Sequence, residues 1–238
     1  MSQKITFQPT TERAEFFNHH PFPATQTLPD WFKTTKNFSN GESNPVKSQE
    51  LEDNTGIISH GTFKMCVPIT DSITAGYTVP LSASVMVTSN PPLINWKVSW
   101  DVADHQPFET LGKYPIPHGY SPSLFRWHTT WSIEVPKGYS LLVTHPIHRH
   151  DLPFFTLTGI IDADKHTNRL LLPFFIREGF QGVIEESTPI AQVIPFKRED
   201  WKMKLQPYTK DQDFKTDIAK VNYVRGYKKH LWSRKSYR

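Results

Sequence analysis

Three groups of residues in the 238-residue chain combine side chains able to do chemistry. The first is Asp162 and Asp164, two carboxylates two positions apart at the end of Gly159-Ile160-Ile161-Asp162-Ala163-Asp164. A carboxylate beside a substrate can act as a general base, and an acidic pair can hold a hard cation such as Mg²⁺. In a hairpin the same residues serve as turn formers, because Asp side chains bond readily to nearby backbone groups. The second group is His145, His148 and His150, whose imidazoles could bind a transition metal if neighbouring strands brought them together. Pro-flanked and interrupted by Arg149, this stretch reads equally well as an exposed loop. The third is the segment 225–238, with six basic residues, no acidic one, and Tyr227, Trp232 and Tyr237 interleaved. Lys and Arg neutralise phosphates and aromatic rings stack on bases, so this tail could hold nucleic acid. It could equally enter an acidic groove of a protein partner or a symmetry mate, which is the reading adopted here.

Other chemistries lack their residues. No Gly-x-Ser-x-Gly elbow and no Gly-x-x-x-x-Gly-Lys phosphate loop occur, and Cys66 falls in a predicted strand where burial would make it inert. A single cysteine allows neither an intrachain disulfide nor a Cys-based zinc cage, which fits a virion or the host cytoplasm better than secretion. The first residues contain no apolar signal core, and nowhere do eighteen uncharged apolar residues run together, so a membrane-spanning protein is not expected. The net charge of +4 is uneven: residues 197–238 hold thirteen Lys/Arg against five Asp/Glu, a net of +8, which leaves −4 for the rest. The basicity belongs to the tail.

The elements that must position these residues read as strands. Twenty Pro disfavour long helices. Short β-branched and aromatic runs, separated by Gly, Pro, Asp and Ser about every ten residues, indicate an all-β fold. Strands are predicted at 61–67, with a turn at 68–72, and at 75–79, 83–88, 95–102 and 124–131, followed by the dense region 131–201. In 95–102, Trp96, Val98, Trp100 and Val102 alternate with polar residues and should share a buried face. The segment 103–122, with four Pro and two Gly, is expected to cross the sheet as a loop. Residues 1–60 read as an extended arm with one short helical turn near Trp31 and Phe32. Residues 61–205 read as the β core and 206–238 as a basic tail. Apolar spacing at Phe214, Ile218, Val221 and Val224 predicts a surface helix over 210–229.

With these elements placed, 159–164 and Pro189-Ile190-Ala191-Gln192-Val193-Ile194 resemble two motifs of the trimeric deoxyuridine triphosphatase (dUTPase) and deoxycytidine triphosphate deaminase superfamily. Those proteins carry a Gly-Val-Ile-Asp-x-Asp hairpin and, later, a Gly-Asp-Arg-Ile-Ala-Gln-Leu-Val strand. Val135-Pro136-Lys137-Gly138-Tyr139 and Ala75-Gly76-Tyr77 are similar to two earlier motifs of the same superfamily. The resemblance implies a dUTPase-like β-barrel or β-sandwich with arms at both ends. It also implies lost catalysis. Thr78 stands where the family has its metal-associated Asp, His145-Pro146-Ile147 where it has the phosphate-binding Arg-Ser-Gly, and no Gly-rich closing arm appears in the tail. Asp162, matching the family's Asp beside the sugar, is retained. Over residues 60–238, Thr144-His145-Pro146-Ile147 and the run from Thr188 to Glu199 further resemble an uncharacterised family of bacterial and tailed-phage proteins.

These readings converge on a non-enzymatic phage structural or assembly protein, without a cofactor, whose partners are virion components or further copies of itself. Trp31, Phe32, Tyr227, Trp232 and Tyr237 are its expected partner contacts. Two alternatives stay open. One is a dUTPase-like hydrolase with Asp162 as base and Mg²⁺ as cofactor. The other is a cupin-like enzyme with a transition metal on His145, His148 and His150. His148-Arg149-His150 has the spacing with which cupin sites begin, although Phe154 stands where their Glu is expected and no second box follows.

Overall fold

A computed structural model describes residues 3–12, 19–38, 61–166, 168–208 and 226–238. The chain divides into two units, one formed by Met1–Thr27 with Gly76–Glu199 and the other by Leu28–Ala75 with Asp200–Arg238.

The first unit holds the strands β1 (Thr6–Pro9), β2 (Phe22–Pro23), β3 (Tyr77–Pro80), β4 (Val85–Thr88), β5 (Leu93–Trp96), β6 (Ala103–His105) and β7 (Tyr120–Glu134). It continues with β8 (Tyr139–Thr144), β9 (Phe154–Thr156), β10 (Gly159–Ile161), β11 (Arg169–Arg177), β12 (Gly182–Ile184) and β13 (Pro189–Lys197). All pair antiparallel in three sheets, ordered β1-β7-β11-β9 with β6 also on β7, β10-β8-β13-β3-β2, and β12-β4-β5. The expected all-β class holds. None of the sheets closes on itself, so the architecture is layered open sheets and the barrel alternative is corrected. The two larger sheets meet where the Phe7 ring packs edge-on against Tyr77 at 5.2 Å and where the Thr156 hydroxyl donates to the Ile190 carbonyl at 2.6 Å.

The core follows from alternation along β7 and β11. Phe125 and Trp127 on β7 face the same side as Leu172 and Phe174 on β11, and all four are buried. Trp127 stacks flat on Phe174 with 3.6 Å between ring centres, and Phe154 meets Trp127 edge-on at 5.2 Å. On the opposite side of this sheet Leu124 and Phe175 pack with Leu111 in a second cluster.

Several local expectations change. Residues 61–67 form no strand beyond an isolated bridge from Gly61 to Phe38. A 3-10 turn spans Phe63–Met65, and the predicted turn at 68–72 lies within a helix, Val67–Thr74. Pro68 sits in its first turn, where the missing N–H costs nothing, and Thr70, Ser72 and Thr74 donate their hydroxyls back to carbonyls three or four residues earlier. The strand predicted over 95–102 ends at Trp96, because its partner β4 begins at Val85, directly across from it. The alternation persists past that end: Lys97, Ser99 and Asp101 are exposed, while Trp96, Val98 and Trp100 are half-buried and Val102 is buried. The segment 103–122 contains β6, a strand too short to announce itself. The N-terminal residues supply β1 and β2, each paired at the edge of a different sheet.

In the second unit α1 (Asp30–Thr34) provides the short helix expected near Trp31 and Phe32, α2 is the helix Val67–Thr74, and α3 spans Gly226–His230. The helix predicted over 210–229 lies outside the described residues as far as 225.

The Trp127 indole N–H is buried and has no acceptor among the described residues. Trp127→Ala should therefore cost about 3–5 kcal/mol in urea unfolding. Trp127→Phe, which keeps a ring on Phe174 and deletes the unpaired donor, should cost well under half of that.

Candidate functional site

The motifs singled out in the sequence converge at one end of the sheet containing β8, β10 and β13. Gly138, in the turn before β8, has φ +86° and donates its backbone N–H to Asp164 Oδ2 at 2.9 Å. Asp162 and Asp164 follow β10, and Arg198 follows β13. The Arg198 guanidinium reaches both carboxylates. Nη1 donates to Asp164 Oδ1 at 2.9 Å and to Asp162 Oδ1 at 3.2 Å, and Nη2 donates to Asp164 Oδ2. Nη1 also lies 2.7 Å from the Tyr139 carbonyl, and the Ser140 hydroxyl donates to Asp162 Oδ1 at 2.7 Å.

This geometry separates the two acids. Asp164 is held in a two-pronged ion pair with a backbone donor added, and its carboxyl lies far below the ordinary value of 3.8, first because of Arg198 and then because of the Gly138 N–H. Asp162 is half-exposed, and the Ser140 hydroxyl, followed by the Arg198 charge, lowers its pKa as well. A lowered pKa makes a carboxylate a poorer proton acceptor near neutral pH. The sequence reading singled out Asp162 and missed Arg198, whose two-pronged contact becomes visible only when the ends of β10 and β13 are brought together.

The remaining motif positions also find structural partners. Gly76 has φ +67°, and a Cβ there would sit 2.0 Å from the Val193 carbonyl oxygen, so β3 and β13 can approach only with glycine at this point. Thr78 is buried and its hydroxyl lies 3.0 Å from that of Thr27. Gln192 is buried in β13 and its Oε1 accepts from the Ile147 N–H at 3.1 Å.

His145 is buried just past β8. Its Nδ1 accepts the Thr156 N–H at 3.3 Å, so Nε2 carries the ring proton and donates it to the Arg149 carbonyl at 3.0 Å. Both nitrogens are therefore engaged, and burial holds the imidazole below its ordinary pKa of 6.5. His148 and His150 lie in a turn closed by the bond from the Arg149 N–H to the Pro146 carbonyl, with His148 at φ +59°. Their rings meet edge to face, 6.2 Å apart. The structure thus places the three histidines differently from one another: both nitrogens of His145 are engaged in hydrogen bonds, while His148 and His150 occupy a turn. Among the described residues no group of three or more His, Cys, Asp or Glu is placed to hold a metal ion.

Within the second unit, Phe32 is buried, with Trp31 edge-on at 5.6 Å and the Lys64 ammonium 5.5 Å above its ring. Phe32 is thus covered by side chains of its own unit. The Trp232 indole N–H donates to Asp71 Oδ2 of α2 at 2.8 Å, Lys235 Nζ lies 2.7 Å from the same oxygen, and Lys228 and Lys235 each lie 5.5 Å from the Trp232 ring centre. Tyr237 is half-buried and Tyr227 is exposed.

No protein-family model matches the chain, and no curated protein matches it. Among solved structures it is similar to a mutant dUTPase from phage phi11 of S. aureus, described as coordinating a structural Mg(II) ion. That match has 11% identity and a TM-score of 0.35, and it covers 87% of this chain and 99% of the other. It is also similar to a mutant dUTPase of Staphylococcus bacteriophage 80alpha bound to dUpNHpp, described as controlling transfer of virulence genes by a G protein-like mechanism. Here the identity is 16% and the TM-score 0.30, with 57% of this chain and 78% of the other covered.

Two titrations follow from this site. Because the Asp164 pKa is depressed on folding, its stabilisation is fully present above the ordinary aspartate pKa and is lost as pH falls through the folded value. Asp164→Asn should lower the Tm at pH 7 and flatten the acid side of the Tm-versus-pH curve. Burial depresses the His145 pKa too, so between the folded value and 6.5 the unfolded chain takes up the proton first and stability falls as pH falls. Melting curves between pH 8 and pH 5 should show this loss, and His145→Gln should remove part of it.

Proposed function

We propose that the chain is non-enzymatic and acts through protein-protein contacts, as a structural or assembly component of a tailed phage. The observation that carries this reading is the segment 201–208, which forms neither helix nor strand yet sets out Trp201, Met203 and Leu205 at alternate positions, 87%, 88% and 84% exposed. Lys202 and Lys204 stand between them, giving an apolar and a basic series on one stretch of chain. Burying each of the three apolar side chains would contribute about 1.5–3 kcal/mol, so leaving them in water is costly unless a partner covers them. Phe63, Tyr208, Tyr227 and Leu231 of the same unit are exposed as well. The partner is a virion protein or a further copy of this chain, and the Lys/Arg excess of the tail favours an acidic surface on it. The phage setting rests on the sequence resemblance to bacterial and tailed-phage proteins.

The hydrolase alternative is disfavoured because Asp162, its intended base, is ion-paired and acidified, and because Thr78 is spent on Thr27. The metal-enzyme alternative is disfavoured because His145 has both nitrogens engaged.

Light scattering on the size-exclusion eluate should show an oligomer, or a complex once virion proteins are added. The triple variant Trp201→Ser, Met203→Ser, Leu205→Ser should weaken that association by at least about 100-fold, the equivalent of roughly 2.7 kcal/mol out of the burial estimated above. A strictly monomeric chain that never co-purifies with a particle would end this reading.

A further inference from the structure

A cleft of about 850 Å³ opens where β1, β7 and β11 meet, and residues of the first unit alone line it. Its walls include Thr10, Ile161, His166, Asn168, Arg169 and Leu171, and no acidic residue is among the described lining side chains. Arg169 stands out for its lack of partners. Each of the other described arginines of this unit is paired: Arg126 with Asp104, Arg149 with Asp151, Arg177 with the His150 and Leu152 carbonyls, and Arg198 with Asp162 and Asp164. The Arg169 side chain makes no hydrogen bond or ion pair with any described residue, while its backbone pairs with Ser132 of β7. Glu12 and Asp101 line an adjoining cleft of about 470 Å³ that Arg169 also borders, yet neither forms an ion pair with it.

The backbone is also adapted at this position. The β11 to β7 register shifts between Arg169 and Leu171, and the Leu170 N–H is taken by the Thr129 hydroxyl at 2.9 Å. An irregularity of this kind re-aims the side chains beside it and is held here by a buried side-chain bond. The His166 side chain on the same wall likewise has no hydrogen bond among the described residues, while its backbone N–H bonds to the Asp162 carbonyl at 3.0 Å. Half-buried Ile161 and exposed Leu171 line the same cleft and supply its apolar surface.

We propose that this cleft binds a small organic oxyanion, a phosphate or carboxylate head on an apolar body, with Arg169 gripping the head and Ile161 and Leu171 meeting the body. A guanidinium presents paired donors matched to two oxygens of such a head, and with no ion pair among the described residues its charge is available to a ligand. His166 and Asn168 stand where they can add donors.

Isothermal titration of the full chain at low salt with phenyl phosphate, benzoate, inorganic phosphate and phenol tests this site. Phenyl phosphate or benzoate should bind, phenol should not, and the preferred head separates a phosphate ligand from a carboxylate one. Inorganic phosphate should bind more weakly than phenyl phosphate, since it lacks the apolar body. Arg169→Ala should weaken the binding at least tenfold, with Arg169→Lys intermediate, and both variants should melt like the wild type because the Arg169 side chain has no partner to lose among the described residues. Amide shifts in the unmutated chain should cluster at Gln8, Thr10, His166, Asn168, Arg169, Leu170 and Leu171 whether or not a variant folds. Absence of binding by every anion, binding undiminished in Arg169→Ala, or amide shifts confined to another surface would overturn the proposal.

Discussion

The ion pair between Arg198 and Asp164 determines how the β8, β10 and β13 sheet is finished. It joins three segments far apart in sequence, namely the Gly138 turn, the hairpin following β10 and the end of β13. Each contributes a group that would be costly to leave unsatisfied: a guanidinium, a carboxylate and a turn N–H. Because the carboxylate accepts from both nitrogens of the guanidinium fork and from the backbone, a small change in the position of any one strand end would break several bonds together. Tyr139, Ser140 and Asp162 are ordered around that pair as secondary partners.

The consequence for chemistry is that residues resembling catalytic motifs are occupied in holding the fold. Asp162 answers to Ser140 and Arg198, Thr78 to Thr27, His145 to Thr156 and Arg149, and Gly76 to the backbone of β13. Polar groups committed to internal partners have fewer lone pairs and donors to offer a substrate, and the protonation states that result suit structure: Asp162 is held as a weakly basic anion and His145 as a neutral ring. The proposed contacts with a ligand and with a partner lie at other places in the chain, at Arg169 in one unit and along 201–208 in the other.

The all-β class was legible because period-two alternation and turn residues are local signals, and β7, β8, β11 and β13 carry them strongly. The helix at Val67–Thr74 was not, since Val, Ile and Thr favour strands and a Pro beside them suggests a turn; hydroxyl bonds to the preceding carbonyls and the tolerance of Pro in a first turn reversed that preference. The Trp96 to Val102 alternation correctly gave the buried side but not the strand length, because length depends on where a partner strand begins. At the candidate site, Asp162 and His145 were recognisable by residue type. Their roles were not, because these depend on Arg198, Ser140 and Thr156, contacts across eleven to thirty-six residues that no local pattern encodes.

The placement of β1 also bears on how the molecule is made. Thr6 to Pro9 pair with Glu134 to Trp131, so during synthesis this strand must wait for more than a hundred further residues before it finds its neighbour. Until then its unpaired edge is open to wrong pairing, and closing so long a loop is slow. Completion of the β7 sheet is therefore a late event in biogenesis, and the nascent chain's exposure to aggregation or chaperones is set by this delay.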